Sequence, residues 1–184
     1  LEGDNPSYPE RAIEQDLERL RQKLERMRAD TTTPGTRLSD DMNPINPATT
    51  ESLTRLMLGG LPTGRSCHAL HSRLRYFDAD RRRAGLPEDV GALVEKLGDD
   101  EVTVSLVNAS PLCERTVVVQ GGAYAEHRLD DVTVTDNTAR VTQAYGAGRS
   151  AFAVRLAPGC GAQLKIALKR YANPPTFAFP WDRG

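Results

Sequence analysis

The densest group of potential metal ligands in this sequence is the short segment Cys67-His68-Ala69-Leu70-His71. Cys67 and His71 lie on one face whether the segment is helical or extended, since a separation of four returns to the same side in both conformations. Thiolate and imidazole are both zinc ligands, and further ligands would have to come from distant residues. The alternative is a loop with solvated histidines, because a closed site normally shows two ligand pairs in sequence. The metal site is therefore the third of three hypotheses.

A second polar group, Tyr124 to Arg128, follows a glycine pair. In a strand, Tyr124, Glu126 and Arg128 share one face, and His127 points to the other. Such a trio is able to bind a sugar or a carboxylate. It is also typical of the solvent side of a strand in a β-sandwich.

The last segment of the chain is rich in proline and aromatic residues. Phe177, Phe179 and Trp181 alternate, so in an extended segment they face the same way. They form either a last strand that buries its aromatics over the core or a surface that docks onto a partner chain or a sugar ring. The core interpretation is favoured, because large aromatic side chains are usually at least partly buried.

The rest of the sequence contains few other candidates for a functional site. Cys113 and Cys160 fall in predicted turns and form a bridge only if their Cα atoms come within roughly 7 Å; three reduced thiols are the alternative. The sequence holds no phosphate-binding glycine loop and no hydrolase or zinc-protease motif, which argues against a nucleotide enzyme. We expect no cofactor.

The composition is that of a soluble globular protein, with 39% hydrophobic and 27% charged residues in a chain of 184. A net charge of −1 argues against nucleic acid as a partner. No apolar stretch reaches the roughly 18 residues that a membrane-spanning helix needs. The chain lacks an initiator methionine, so we expect a removed or additional segment before Leu1.

The clearest helix signal runs from about Pro9 to Arg28. Ser7 and Glu10 have capping-box spacing, and a proline suits the first helical turn. Apolar residues recur at spacings of four, three, four and three among charged neighbours, which predicts a narrow apolar seam for packing against another helix or a domain surface. The members of this seam are Ile13, Leu17, Leu20, Leu24 and Met27.

Two further helices are predicted, one near 47–58 that ends at a glycine pair, and one near 87–97 that begins after Pro87 and ends at Gly98. From about residue 101 the hydrophobic period changes to two, and short alternating runs are separated by turn residues. This pattern predicts mostly antiparallel strands in a sandwich or barrel. The predicted fold is α+β, with a helical segment over 1–98 and an antiparallel β-sandwich over 99–184.

Two strand-like runs carry a family resemblance. They are Val102-Thr103-Val104-Ser105-Leu106-Val107-Asn108 and Arg115-Thr116-Val117-Val118-Val119-Gln120-Gly121-Gly122. They resemble the C-terminal antiparallel β-domain of large bacterial glycoside-hydrolase-like proteins, over about Glu101 to Arg170. In such proteins the catalytic carboxylates lie in a preceding helical barrel, so the resemblance implies no catalytic residue here. An extracytoplasmic location is expected alongside it.

Three functional hypotheses follow. The first is a non-catalytic β-sandwich domain or small subunit that docks through the apolar seam, and through the three tail aromatics, to a larger protein or to a second copy. The second is the C-terminal piece of a carbohydrate-active hydrolase or lyase, with Tyr124, Glu126, His127 and Arg128 near its ligand. The third is a metal-binding protein centred on Cys67, His68 and His71.

Overall fold

The computed structural model describes residues 5–36, 51–60, 71–135, 139–146 and 149–183. The chain divides into two compact units, one of which comprises Asn5–Leu53, while the other contains Thr54–Gly184. Helix α1 covers Tyr8–Ala29 in the first unit. Helix α2, Glu51–Leu58, spans the boundary between the two units.

Helix α1 confirms the first predicted helix. Its 22 residues include a proline in the first turn, where a missing backbone N–H leaves no hydrogen bond unmade. The predicted capping box does not form, because the Ser7 hydroxyl donates to the Asn5 side chain rather than accepting from the helix. No helix in the described ranges is long and apolar enough to cross a membrane.

The second unit is an antiparallel β-sandwich, as predicted. The strands are β1 (Leu74–Asp78), β2 (Arg83–Ala84), β3 (Val90–Leu97), β4 (Glu101–Asn108), β5 (Arg115–Gly121), β6 (Arg128–Val134), β7 (Ala139–Tyr145), β8 (Ala151–Leu156) and β9 (Gly161–Lys169). One sheet has the order β2-β1-β5-β8-β7, and the other has the order β3-β4-β9-β6.

The core lies between the two sheets and follows the period of two that the sequence shows. Val102, Val104 and Leu106 of β4 are fully buried, as are Leu164 and Ile166 of β9. Alternate residues of a strand point to the same face, so each of these strands contributes one apolar row. The rows of the two sheets therefore meet in one continuous core.

Helix α2 closes one part of this core. Met57 and Leu58 pack against the core residues, and the Tyr76 hydroxyl donates a 2.6 Å hydrogen bond to the Met57 carbonyl. Burial raises the pKa of Tyr76 above its ordinary value, so its hydroxyl stays protonated as a donor. The predicted helix near 47–58 is thus confirmed over Glu51–Leu58, and its earlier part lies outside the described residues.

The helix predicted near 87–97 is wrong, because Val90–Leu97 is the edge strand β3. A register shift between Val94 and Lys96 inserts an extra residue, so Val90, Ala92, Val94 and Leu97 face the core. The bulge therefore produces an apolar spacing that imitates a helix. It also makes the predicted 98/99 boundary wrong, since that boundary cuts the hairpin of β3 and β4.

Candidate functional site

The apolar seam of α1 is only partly covered. Ala12 and Asp16 are the buried residues of the helix, whereas the side chains of Leu17 and Met27 are 47% and 44% exposed. The other three members of the seam, Ile13, Leu20 and Leu24, are half-buried. The helix therefore buries the side of Ala12 and Asp16 and leaves part of the apolar seam in solvent; this partly exposed seam is called the exposed edge.

Asp16 fixes which side of α1 is buried. Its Oδ2 accepts a 3.2 Å hydrogen bond from the Ser52 backbone N–H, and its Oδ1 lies 3.5 Å from Arg19. A buried carboxylate requires such partners, because an unpaired one costs several kcal/mol or ionises with difficulty. The contact to Ser52 therefore orients α1 within its own unit and leaves Leu17 on the exposed side.

The charges of α1 are segregated along its length. The part from Tyr8 to Glu18 carries four acidic residues and one basic residue, and the part from Arg19 to Ala29 carries five basic residues and one acidic residue. This order suits the helix dipole, which favours negative charge at the N-terminus and positive charge at the C-terminus. It also gives the exposed edge an acidic end and a basic end.

The segment around Tyr124 is a turn and not the strand that was predicted. Gly122 and Ala125 have positive φ angles, which reverse the chain before β6 begins at Arg128. The Glu126 carboxylate accepts the Tyr124 backbone N–H at 2.7 Å, and Arg128 pairs with Asp130 at 2.6 Å. The acid and the guanidinium therefore serve local structure, and Tyr124, Glu126 and Arg128 do not form one strand face.

His127 is buried beside the tail of the chain. Its Nδ1 accepts a 3.2 Å hydrogen bond from the Tyr171 backbone N–H, and the two rings meet edge to face at 4.9 Å. Burial lowers the pKa of His127 below its ordinary value. Arg73 and Arg170 also lower the pKa of His127, and Glu126 opposes them. The neutral ring is thus a fixed acceptor that anchors the segment after β9.

Most of the predicted metal cluster lies outside the described residues. Cys67 and His68 lie outside the residues that the structure describes, and His71, which it does describe, is exposed. Among the residues that the structure describes, no group of three or more His, Cys, Asp or Glu side chains is arranged to hold a metal ion. Cys113 and Cys160 are free thiols rather than a disulfide.

The aromatic tail divides into two parts. Phe179 and Trp181 stack at 5.2 Å and meet the Phe77 ring edge to face at 5.9 and 6.0 Å. Phe177 is 89% exposed and touches Tyr124 with its edge. The tail is not a strand; a single 3-10 turn covers Pro180–Asp182. It packs on the outer face of the five-stranded sheet, away from the inner core.

The sequence pattern missed a group of polar residues under this tail. Arg75, Gln120, Ser150 and Arg183 meet on the outer face, through bonds that join the tail to strands far away in sequence. Alternation in β1 does place Arg75 and Phe77 on one face, opposite Leu74 and Tyr76. Nothing in the sequence indicates that Arg183 returns to that face.

Comparison with known proteins adds one match. A family model described as a domain of unknown function, DUF8034, matches residues 1–54. No curated protein and no solved structure matches the chain. The match ends within one residue of the boundary between the two compact units, so the first unit resembles a segment that occurs in other proteins.

Proposed function

We propose that this chain is a non-catalytic module that docks to a larger protein through helix α1, with the β-sandwich as a rigid platform. The observation that carries the proposal is the partly exposed apolar seam, in which Leu17 and Met27 are the most exposed members, on a helix whose remaining surface is largely charged. Exposed apolar side chains in a row mark interaction surfaces more often than scattered single ones do.

The boundary of the first unit supports the proposal. The unit Asn5–Leu53 contains α1, and the matched family model covers nearly the same residues. A segment that is compact and is shared with other proteins is suited to act as an attachment module. The chemistry of the partner follows from the surface of α1.

The surface of α1 favours a larger partner over self-association. The seam covers only two to three heptads, whereas an isolated coiled coil is indicated by an apolar pattern sustained over about three to four heptads. Moreover, Asp16 is held inside its own unit by Ser52, so one flank of the seam is already occupied. A partner with an apolar groove supplies more contact area to the remaining edge than a second α1 does.

Charge adds a further requirement for the partner. The acidic end of α1, Tyr8–Glu18, calls for basic residues beside the groove, and the basic end, Arg19–Ala29, calls for acidic ones. Complementary charges at a rim mainly raise the association rate and fix the orientation. Added salt should therefore weaken binding of the partner to α1 by screening the charges, while the contribution from apolar burial is retained.

The test compares Leu17→Asp with Gln15→Asp in the full chain. Both variants place the same acid in the same helix, but Gln15 lies on the opposite side from Leu17. We expect Leu17→Asp to abolish a complex with a second polypeptide in extracts of the native source, measured by native mass spectrometry, and Gln15→Asp to keep it.

Circular dichroism provides the folding control for both variants. Leu17 is preferable to Leu20 as the test position, since Leu20 is half-buried and its replacement would affect folding as well as docking. Equal complex formation by both folded variants would contradict the proposal. A complex that contains only this chain would contradict the larger partner and assign the seam to self-association.

The two other hypotheses stay predictions. The carbohydrate-active piece rests on the resemblance of two strand runs, and its candidate residues Glu126 and Arg128 are engaged in local bonds. The metal hypothesis depends on Cys67 and His68, which lie outside the described residues. Neither has a described contact that favours it over docking.

A further inference from the structure

A row of polar side chains crosses the outer face of the five-stranded sheet. Arg75 of β1 lies opposite Gln120 of β5, and Gln120 lies opposite Ala151 of β8. Ala151 is itself buried, and Arg183 of the tail reaches this row. Its Nη2 donates to Gln120 Oε1 at 2.7 Å, and its Nη1 donates to Ser150 Oγ at 3.3 Å.

The sheet holds both guanidinium groups in place. Gln120 is fully buried, and its amide nitrogen donates to the carbonyls of Gly122 and Ala123 at 2.9 and 3.3 Å, which directs its oxygen to Arg183. Arg75 donates through Nη1 to the Ala123 carbonyl at 2.8 Å. Its guanidinium lies over the Phe77 ring at 5.1 Å. The two cations are therefore fixed in orientation before any ligand arrives.

This pair of cations has no negative partner in the part of the chain that the structure describes. No ion pair joins Arg75 or Arg183 to a carboxylate there, whereas Arg155, on the same face, lies 3.2 Å from Glu114. Burial lowers the pKa of Arg183, and the positive charge of Arg75 lowers it further. Two half-buried like charges repel one another, and a bound anion would remove that cost.

We propose that Arg75 and Arg183, set by Gln120 and Ser150, form a binding site for an oxyanion, either a carboxylate or a phosphate group. The N–H groups of Arg75 that do not bond the Ala123 carbonyl are available as donors. The planar fork of Arg75 matches two oxygens of one such group. Arg183, whose Nε and Nη2 already donate to the Ala178 carbonyl, contributes mainly its positive charge. The site lies on the sandwich and is independent of docking through α1.

The experiment measures binding of inorganic phosphate and of acetate to the full chain by isothermal titration calorimetry, with ionic strength held constant by chloride. We expect saturable binding of at least one of the two anions. Arg75→Gln and Arg183→Gln should each weaken it by about tenfold or more, because charged hydrogen bonds are lost. Arg155→Gln is the matched control on the same face and should leave binding unchanged.

Each result bears on the proposal. Tighter phosphate binding supports a phosphoryl ligand, and tighter acetate binding supports a carboxylate ligand. No saturable binding of either anion, or equal loss in Arg155→Gln, would overturn the site.

A charge reversal gives a second test that does not require binding to be strong. Arg75→Glu and Arg75→Gln both lose the bond to the Ala123 carbonyl, but only the first places a negative charge beside Arg183. We expect the melting temperature of Arg75→Glu to exceed that of Arg75→Gln at low salt, and phosphate to raise neither. A lower melting temperature for Arg75→Glu would show that the pair carries no uncompensated positive charge, and would overturn the proposal.

Discussion

The β-sandwich and helix α1 differ in how completely their apolar side chains are buried. In the sandwich, the inward rows of β4, β5, β8 and β9 are almost completely buried between two sheets. In α1, the buried residues are Ala12 and Asp16, while Leu17 and Met27 are only about half covered. One region completes its own core, and the other presents apolar surface that its own unit leaves uncovered.

Because of this difference, we expect the residues that control stability to be different from the residues that control docking. A residue that closes the sandwich core should control the free energy of unfolding, because its removal leaves a cavity. A residue on the exposed edge of α1 should have little effect on unfolding, because solvent already reaches it. Substitutions in the sandwich core should therefore change the free energy of unfolding, and substitutions on the exposed edge of α1 should change complex formation.

The largest expected effect comes from Leu164→Ala in the sandwich. Leu164 is fully buried, so the variant should lose about 2–5 kcal/mol of the free energy of unfolding through lost burial and a cavity. Leu17→Ala is the matched control and should change it by less than about 0.5 kcal/mol. Urea unfolding followed by Trp181 fluorescence measures both. Similar losses in the two variants would remove the distinction between the regions.

A smaller effect is expected where each region relies on a buried polar anchor. Asn108 is buried and donates from Nδ2 to the carbonyls of Cys113 and Ala157 at 2.8 and 3.1 Å. Asn108→Ala should therefore cost about 1–3 kcal/mol in the unfolding of the sandwich.

The counterpart in α1 is Asp16→Ala, which removes the bond to Ser52. We expect it to lower the helical signal in circular dichroism and to leave the fluorescence transition of the sandwich in place. A shift of that transition as large as the one caused by Asn108→Ala would show that the two regions unfold together.

The pH dependence of stability should be confined to the sandwich and small. Burial lowers the pKa of His127, so the unfolded chain binds a proton more readily than the folded chain does. Stability is then complete above the unfolded pKa of about 6.5 and falls as pH drops below it. His127→Asn keeps an acceptor for the Tyr171 N–H without titrating, and should flatten this dependence.

Exposed His71 supplies the control for that measurement, since His71→Asn should leave the dependence unchanged. Chemical unfolding at several pH values between 5 and 8 gives the comparison. If the pH dependence of the free energy of unfolding is lost in His71→Asn and kept in His127→Asn, the buried ring of His127 is not its source.

The smallest effect is expected at the end of the tail. Phe177 is 89% exposed, so Phe177→Ala should alter the free energy of unfolding by less than about 0.5 kcal/mol. Phe179→Ala should cost more, because that ring packs on Phe77 and Trp181. Equal effects of the two variants in urea unfolding would mean that the tail does not contribute to the sandwich through these ring contacts.

The sequence predicts those elements whose pattern is local. The seam from Ile13 to Met27 predicts α1, and the alternation of Val102, Val104 and Leu106 predicts β4, since both depend only on the period of the chain. β3 was missed because its bulge near Val94 changes the period. Positive φ at Gly122 and Ala125 likewise turned a predicted strand into a turn.

The arginine pair was beyond sequence reasoning for a different reason. Alternation indicates that Arg75 shares a face with Phe77, but the bond from Arg183 to Gln120 depends on the path of the tail over the outer face of the sheet. The buried Gln120 gives no local signal, because a glutamine in a strand is ordinarily taken to face solvent. Such sites depend on tertiary contacts that no pattern along one strand encodes.

The most direct test of docking through α1 combines native mass spectrometry with cross-linking of the complex isolated from the native source. We expect a second polypeptide in the particle, cross-links that join it to Lys23 on α1, and loss of both with Leu17→Asp but not with Gln15→Asp. A lone chain, or a complex whose cross-links reach only Lys165 or Lys169 on β9 and which survives Leu17→Asp, would contradict docking through α1.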